Sequence, residues 1–321
     1  MKKLSVLVLA IIFAIPLLYT GCREDNDNLP SLQKIDGIDV TIPRVVYENG
    51  KITMFVSVTD LKGNAIKGLD AGNLKIETIK DNQVNNISGF SLYSSSGLPT
   101  PIAAALTMDY SGSMYFDSTF VPAMENAVKT FINMKALTDL CEIIKFDNNV
   151  VVVQGFTADS TLLVNAVDDD STYVFKGSTA FYNACLKGLM DADSVVANLP
   201  TTLPAVIGFT DGVNNQPPLD PDTVIARALQ LQIPVYTIGF GGTATYLPDS
   251  VTLQAIADTT GGRFYWSPDP ASLQQLYQYV NGQLTSAIVI GFPWGSKANA
   301  TIRVTVTYLN HTATAEKMIW Y

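Results

Sequence analysis

Between residues 39 and 93 apolar and polar positions alternate with a period of two. Ile52, Met54, Val56 and Val58 are interleaved with Thr53, Phe55, Ser57 and Thr59, and Leu61, Lys62, Gly63 and Asn64 then supply a turn. Residues 74–79 and 87–93 read as further strands with one apolar face. The same period returns near the other end of the chain, where Ile302, Val304, Val306 and Tyr308 alternate with Arg303, Thr305 and Thr307, and residues 317–321 carry it to the last position. Neither set alone has enough strands to close a sandwich. Together they predict one β-sandwich assembled from both ends of the chain, with the central region inserted into it.

In that central region short apolar runs alternate with stretches of helical spacing. Strands are expected at residues 101–108, 141–146, 150–156, 204–209, 234–240 and 263–266, the second and third as a hairpin. Helices are expected at 121–136, 179–192, 221–231, 250–259 and 270–282. This order predicts an α/β fold with a doubly wound, mostly parallel sheet, in which ligands bind at the carboxyl ends of the strands.

The first residues change the picture of where such a protein would reside. Lys2 and Lys3 precede an apolar run from Leu4 to Leu18, interrupted near its end by Pro16, which is the pattern of a targeting segment and too short for a permanent span. Leu18, Tyr19, Thr20, Gly21 and Cys22 resemble a bacterial lipoprotein cleavage box, in which Cys22 becomes the lipid-bearing N-terminus; an ordinary secretory signal with a coincidental cysteine is the alternative. The acidic stretch Arg23 to Asn28 reads as a solvated tether and resembles the export signal that sends some lipoproteins to the cell surface. The expected organisation is a signal peptide at 1–21, a tether at 22–35, the first part of the sandwich at 36–97, the α/β domain at 98–283 and the completing strands at 284–321. A lipid anchor would place the protein in the cell envelope, at the outer membrane, with the surface as a further destination.

Composition narrows the partners. The chain has 321 residues, 47% of them hydrophobic and 15% charged, with a formal net charge of −9, so nucleic acid and anionic membrane surfaces are poor partners and membrane attachment would come from lipid alone. Besides Cys22, Cys141 and Cys185 fall on a strand and a helix, where they are expected to be buried and inert; a disulfide between them is left open.

Candidate chemistry concentrates where the first central strand ends, at Asp109, Ser111 and Ser113. A carboxylate and two hydroxyls at alternate positions, with Gly112 permitting a tight turn, can face one point. Hard oxygens without His or Cys suit Mg²⁺, Mn²⁺ or Ca²⁺ rather than zinc or iron. Two later loops fall on the same edge of the sheet, contributing the hydroxyl of Thr179 and the carboxylate of Asp211. Each position also reads as a helix cap or a turn residue, Thr179 with Ser178 as a cap and Asp211 as an Asp-Gly turn.

On these residues the central region resembles a von Willebrand factor type A (VWA) domain, a Rossmann-like fold, with the metal-ion-dependent adhesion site motif (MIDAS): Asp109, Ser111 and Ser113, then Thr179, then Asp211. The resemblance covers roughly residues 98–283, includes Gly261, Gly262 and Arg263 before the last strand, and implies a divalent cation completed by a Glu or Asp from a protein partner. It also implies that the last helix, residues 270–282, is the one whose shift can toggle affinity in this family. Tyr110, Met114, Tyr115 and Phe116 are candidates for an apolar contact around the metal, or for a partly buried loop.

An enzyme is the rival class, and it fares poorly. An aspartate-based phosphohydrolase needs a second acid two residues after its nucleophile, where Ser111 stands, and the only histidine, His311, lies far away in the C-terminal β-region. The run Asp168, Asp169 and Asp170 reads as a solvated loop, with Ca²⁺ binding as its alternative. A metal-independent scaffold subunit of an envelope complex is the third reading.

Overall fold

A computed structural model of the chain describes residues 35–93, 100–169, 176–199, 201–211, 214–215, 219–241, 249–295 and 299–319. The leader, Cys22 and the acidic tether lie outside the described residues, as do Asp170, Gly212, Trp320 and Tyr321. Among the described residues no helix is long and apolar enough to cross a membrane. Ile35–Tyr321 forms one compact unit.

Its first strands are β1 (Ile38–Glu48), β2 (Lys51–Asp60), β3 (Leu74–Lys80), β4 (Gln83–Asn86) and β5 (Ser91–Leu92). The central region follows with β6 (Ile102–Asp109), α1 (Phe120–Met134), β7 (Leu140–Phe146), β8 (Val150–Thr157), α2 (Ser160–Asp168), α3 (Phe181–Val196) and β9 (Leu203–Thr210). Then come α4 (Pro221–Leu231), β10 (Val235–Phe240), α5 (Ser250–Thr260), β11 (Phe264–Ser267) and α6 (Pro270–Thr285). The chain closes with β12 (Ile288–Pro293), β13 (Ala300–Tyr308) and β14 (His311–Ile319).

Strands from both ends pair with one another. One antiparallel sheet has the order β1-β2-β12-β5 and the other β14-β13-β3-β4, so each takes strands from before and after the central region. Ile38, Val40, Met54, Val56, Ile76, Ile302 and Val304 form the core that the two sheets share. Along β13 the sequence alternation is realised as it reads, with Ile302, Val304 and Val306 buried and their neighbours half-buried or exposed.

Strand β2 departs from its pattern. The nominally polar face, with Phe55, Ser57 and Thr59, is as buried as the apolar one. The reason is α6, which packs on that side: Gln283 Nε2 donates to Thr59 Oγ1 at 2.9 Å, and the backbone N of Val58 donates to Ser286 Oγ at 3.2 Å. Phe55 therefore belongs to the core of the α/β region, with Tyr277 and Val280. The expected strand at 87–93 is also revised. Only Gln83–Asn86 and Ser91–Leu92 join ladders, while Ile87 and Phe90 turn toward the sandwich core between them.

The third sheet has the order β11-β10-β9-β6-β7-β8, parallel except for β8 against β7. The cores on its two faces explain why its central strands read as continuous apolar runs, since β6 and β9 are buried at every position. Helices α1, α2 and α6 cover one face and α3, α4 and α5 the other. Asp168, expected in a loop, ends helix α2, whose N-terminus is capped by Asp159 and whose Leu163, Ala166 and Val167 are buried; Lys129 pairs with Asp168 at 2.7 Å.

Cys141 and Cys185 are both free and buried, in cores on opposite faces of this sheet, so the open question of a disulfide between them is answered in the negative. Burial pushes the Cys141 thiol up to about 12 and raises that of Cys185 further.

One buried acid in β7 gives the fold a pH dependence. Burial, and then the charge of Asp191, push Glu142 up to about 8, against the pull of Lys187. The folded state thus holds a proton that the unfolded chain releases near its ordinary value. This contribution to stability is full below the unfolded pKa, declines as pH rises toward the folded one, and is flat above it. Glu142→Gln is expected to match the parent at about pH 5 and to exceed it by about 2 kcal/mol at about pH 9 in denaturant unfolding. Equal stability at both pH values would refute the assignment.

Candidate metal site

Strands β6 and β9 are neighbours and point the same way, so their carboxyl ends deliver Asp109 and Asp211 to one edge. This is also where the winding reverses. The chain leaves β6 through α1 to β7 on one side, and later enters β9 on the other, and at such a reversal open α/β sheets commonly bind ligands.

Asp109 is fully buried and doubly engaged. Its Oδ1 accepts from the backbone N of Ser111 at 2.8 Å, and its Oδ2 accepts from Thr210 Oγ1 at 2.7 Å. Ser113 is not reached by extended alternation: it lies in a 3₁₀ turn, Gly112–Tyr115, that swings it back over the strand end. From there Ser113 Oγ donates to Asp211 Oδ1 at 2.8 Å and lies 3.3 Å from Ser111 Oγ. Four of the five expected side chains thus form one connected group of oxygens.

Thr179 comes from a separate loop that is stitched to the first. Gly112 N donates to Gly177 O at 2.9 Å and Lys176 N to Tyr110 O at 3.1 Å. Asp147, at the end of β7, holds the same loop by accepting from Gly177 N at 3.1 Å through Oδ2, while its backbone carbonyl accepts from Ala180 N at 2.8 Å. The third loop joins in through Asn215, whose Oδ1 accepts from Thr179 N at 2.7 Å and whose own N donates to Thr179 O at 3.1 Å. Helix α3 begins only at Phe181, with Ala180 at its cap position and no side-chain cap bond. The hydroxyl of buried Thr179 is therefore not used as a helix cap.

The electrostatics are those of two carboxylates confined together. Burial first, then the charge of Asp211, push Asp109 up to about 7, against the hydrogen bonds from Ser111 and Thr210. Burial likewise raises Asp211, opposed by the bond from Ser113. A donor set of two such carboxylates and neighbouring hydroxyls fits a hard divalent cation, which would offset both charges at once.

The rim divides between its two readings. Tyr110 and Met114 are buried, the former with its hydroxyl donating to Glu125 at 2.8 Å, so neither can meet a partner. Tyr115 is exposed beneath Lys176, whose Nζ lies 4.7 Å from the ring centre, and Phe116 is 90% exposed. Sequence reasoning did not single out Thr210, Asp147 or Asn215. Thr210 carries a readable signal, a hydroxyl immediately before the motif aspartate, whereas the other two act through loop contacts that no spacing reveals.

The von Willebrand factor type A domain family model matches residues 105–279, more than half of the chain, and the chain belongs to that family. Among solved structures it is similar to a von Willebrand factor type A protein from Catenulispora acidiphila, at 13% identity and a TM-score of 0.50, over 88% of this chain and 72% of that one. It is also similar to proximal thread matrix protein 1 from the mussel byssus with a zinc occupied MIDAS motif, at 16% identity and a TM-score of 0.48, over 57% of this chain and 48% of that one. The vWF domain of the type V pili tip protein Mfa5 from Porphyromonas gingivalis gives 12% identity and a TM-score of 0.44, over 57% of this chain and 95% of that one. The chain thus spans about half the length of the byssus protein, and at these identities the likeness is one of fold. No curated protein matches the chain in sequence.

Proposed function

We propose that this is an envelope-anchored lipoprotein whose VWA domain uses a divalent cation to bind another protein. Asp109, Ser111, Ser113, Thr179 and Asp211 would hold the ion, Mg²⁺ in the first instance and Mn²⁺ or Ca²⁺ as relatives of the same hard class. The observation that carries this reading is the connected group of oxygens at the ends of β6 and β9, in which buried Asp109 and half-buried Asp211 are linked through Ser111 and Ser113.

A cation held there would supply an electrophilic position that a partner's Glu or Asp can complete. The protein's own residues set the rest. Thr210 and the Ser111 backbone fix the orientation of Asp109, Asn215 positions Thr179, and exposed Phe116 offers an apolar contact beside the site. No catalytic role is proposed, since His311 starts β14 in the sandwich and the position two after Asp109 holds a hydroxyl. Anchoring through Cys22 after removal of residues 1–21, and residence at the outer membrane or cell surface, rest on the leader and the acidic tether in the sequence.

Calorimetric titration of Mg²⁺ and Mn²⁺ into the soluble form beginning after Cys22, beside Asp109→Ala, tests the reading. Saturable binding by the parent, weakened at least about a hundredfold in the variant, is expected from the loss of one of two charged ligands. Failure of the parent to bind either ion would favour a metal-independent scaffold.

A further inference from the structure

A second charged cluster, of opposite sign, lies where the sandwich meets the far end of the VWA domain. The β1–β2 ladder shifts register between Thr41 and Arg44. The extra residues place the carbonyl of Pro43 beside Lys317 on β14, whose Nζ donates to Pro43 O at 2.9 Å and to Thr260 O at 3.2 Å. The turn after α5 approaches so closely that a Cβ on Gly261, a residue at φ +92°, would stand 2.5 Å from that nitrogen. Backbone dipoles are the only acceptors Lys317 has among the described residues.

Arg44 is worse provided for. Its Nε and Nη1 are shielded from water and have no hydrogen-bond partner. Asp193 and Glu48 act on the guanidinium through space, yet Arg44 makes no ion pair with either among the described residues. Burial brings Arg44 down to about 10; burial and then the charge of Arg44 bring Lys317 down to about 8. Arg263, three residues beyond Thr260, is paired with Asp39 through Nη2 and also leaves its Nε without a partner. These two half-buried cations act on each other, no carboxylate among the described residues acts on Lys317, and donors on two edges of the Arg44 guanidinium are unused, so the pair lacks acceptors and, at Lys317, negative charge. A water molecule would satisfy the first and not the second.

We infer that Arg44 and Lys317 form a binding site for a small inorganic oxyanion of the phosphate or sulfate type, seated between the sandwich and the VWA domain. Such an anion accepts from Arg44 Nε or Nη1 and offsets the charge of Lys317 at once, as guanidinium and ammonium groups do with phosphate elsewhere. Both side chains are half-buried and reach the surface, while Arg44 Nε and Nη1 themselves are covered, so an entering anion displaces the side chains that cover them. The site joins β1, β14 and the α5–β11 turn, so its occupancy ties the two parts of the fold together, in the kind of place where proteins commonly hold small ligands.

The test is thermal unfolding of the soluble form beginning after Cys22, stripped of divalent cations, with sodium phosphate or sodium sulfate replacing chloride at constant ionic strength. A saturable rise in melting temperature is expected for the parent, with apparent affinity at least about tenfold weaker in Arg44→Gln and in Lys317→Met, as loss of one charged donor implies. Lys317→Arg keeps the charge and is expected to keep the rise. Line broadening of the phosphorus resonance of phosphate by the parent, absent with Arg44→Gln, gives a readout independent of the variants' own stability. A parent whose melting temperature ignores both anions, or a rise of equal size in Arg44→Gln, would overturn the inference. The cation titration above is expected to be unchanged in Arg44→Gln, which separates this site from the one at Asp109.

Discussion

Asp109→Asn is expected to make the cation-free protein more stable while removing all stabilisation by Mg²⁺ or Mn²⁺. Asp109 lies buried in the centre of the sheet edge with Asp211 close enough for its charge to act on it. Without a cation, two carboxylates share a site that water does not fully solvate, and relieving one of them removes a repulsion together with a desolvation cost. Asn keeps the shape. Its carbonyl can still accept from Ser111 N, and the Thr210 hydroxyl can rotate to accept from the new amide. The gain is expected to be about 1–3 kcal/mol, or about 2–4 °C in melting temperature for each kcal/mol. With saturating Mg²⁺ the order reverses, because the parent gains binding free energy and the variant does not. This crossing of the two melting curves distinguishes a metal site from a structural hydrogen-bond cluster. In a purely structural cluster Asp109→Asn would lower stability, and added cation would move neither protein.

Gly282→Ala is expected to be among the most damaging single substitutions in the chain. Gly282 sits in the last turns of α6, where a Cβ would fall 1.8 Å from the backbone oxygen of Gly63. That oxygen cannot retreat easily. Gly63 belongs to the turn after β2 that Asp60 pins by accepting from the backbone N of Lys62 and of Asn64, each at 2.8 Å, and Tyr279 packs against the same glycine. The helix and the sandwich must therefore separate to admit one methyl group, which exposes Phe55 and breaks the bonds from Gln283 to Thr59 and from Val58 to Ser286. A loss of about 3–5 kcal/mol is expected in denaturant unfolding. Gly155→Ala, at a position with nothing within 4 Å of the added carbon, serves as the neutral control. A loss under about 1 kcal/mol for Gly282→Ala would mean that α6 is not held against the sandwich.

What could be read without coordinates depended on how local its cause is. The five oxygen-bearing residues of the candidate site drew attention because the end of an apolar run, the Gly-Ser-Thr before an expected helix and an Asp-Gly turn are signals that lie within a few neighbouring residues. Their organisation was not legible. Ser113 reaches Asp211 only through a 3₁₀ turn, and Asn215 holds Thr179 across 36 positions of sequence. Tyr110 and Met114 read equally as surface contacts or as part of a buried loop, and the second holds because they pack with α1 and the strand ends in one core. Helix α2 was not expected, since the apolar spacing of Leu163, Ala166 and Val167 spans little more than one turn.

By itself the sequence determined the two strand-rich ends, the alternating strands and helices between them, and which hydroxyl and carboxylate residues follow the central strands. Periodicity, turn residues and hydroxyl or carboxylate placement are properties of short segments, and they survive any arrangement of those segments. Only the tertiary structure decided that β12 lies between β2 and β5, that Cys141 and Cys185 face away from each other, and that both faces of β2 are buried. Those outcomes depend on which surface meets which. A strand such as Ile52 to Thr59 carries the same alternation whether its second face meets water or the side of α6, and the choice is made by packing between parts of the chain more than two hundred residues apart.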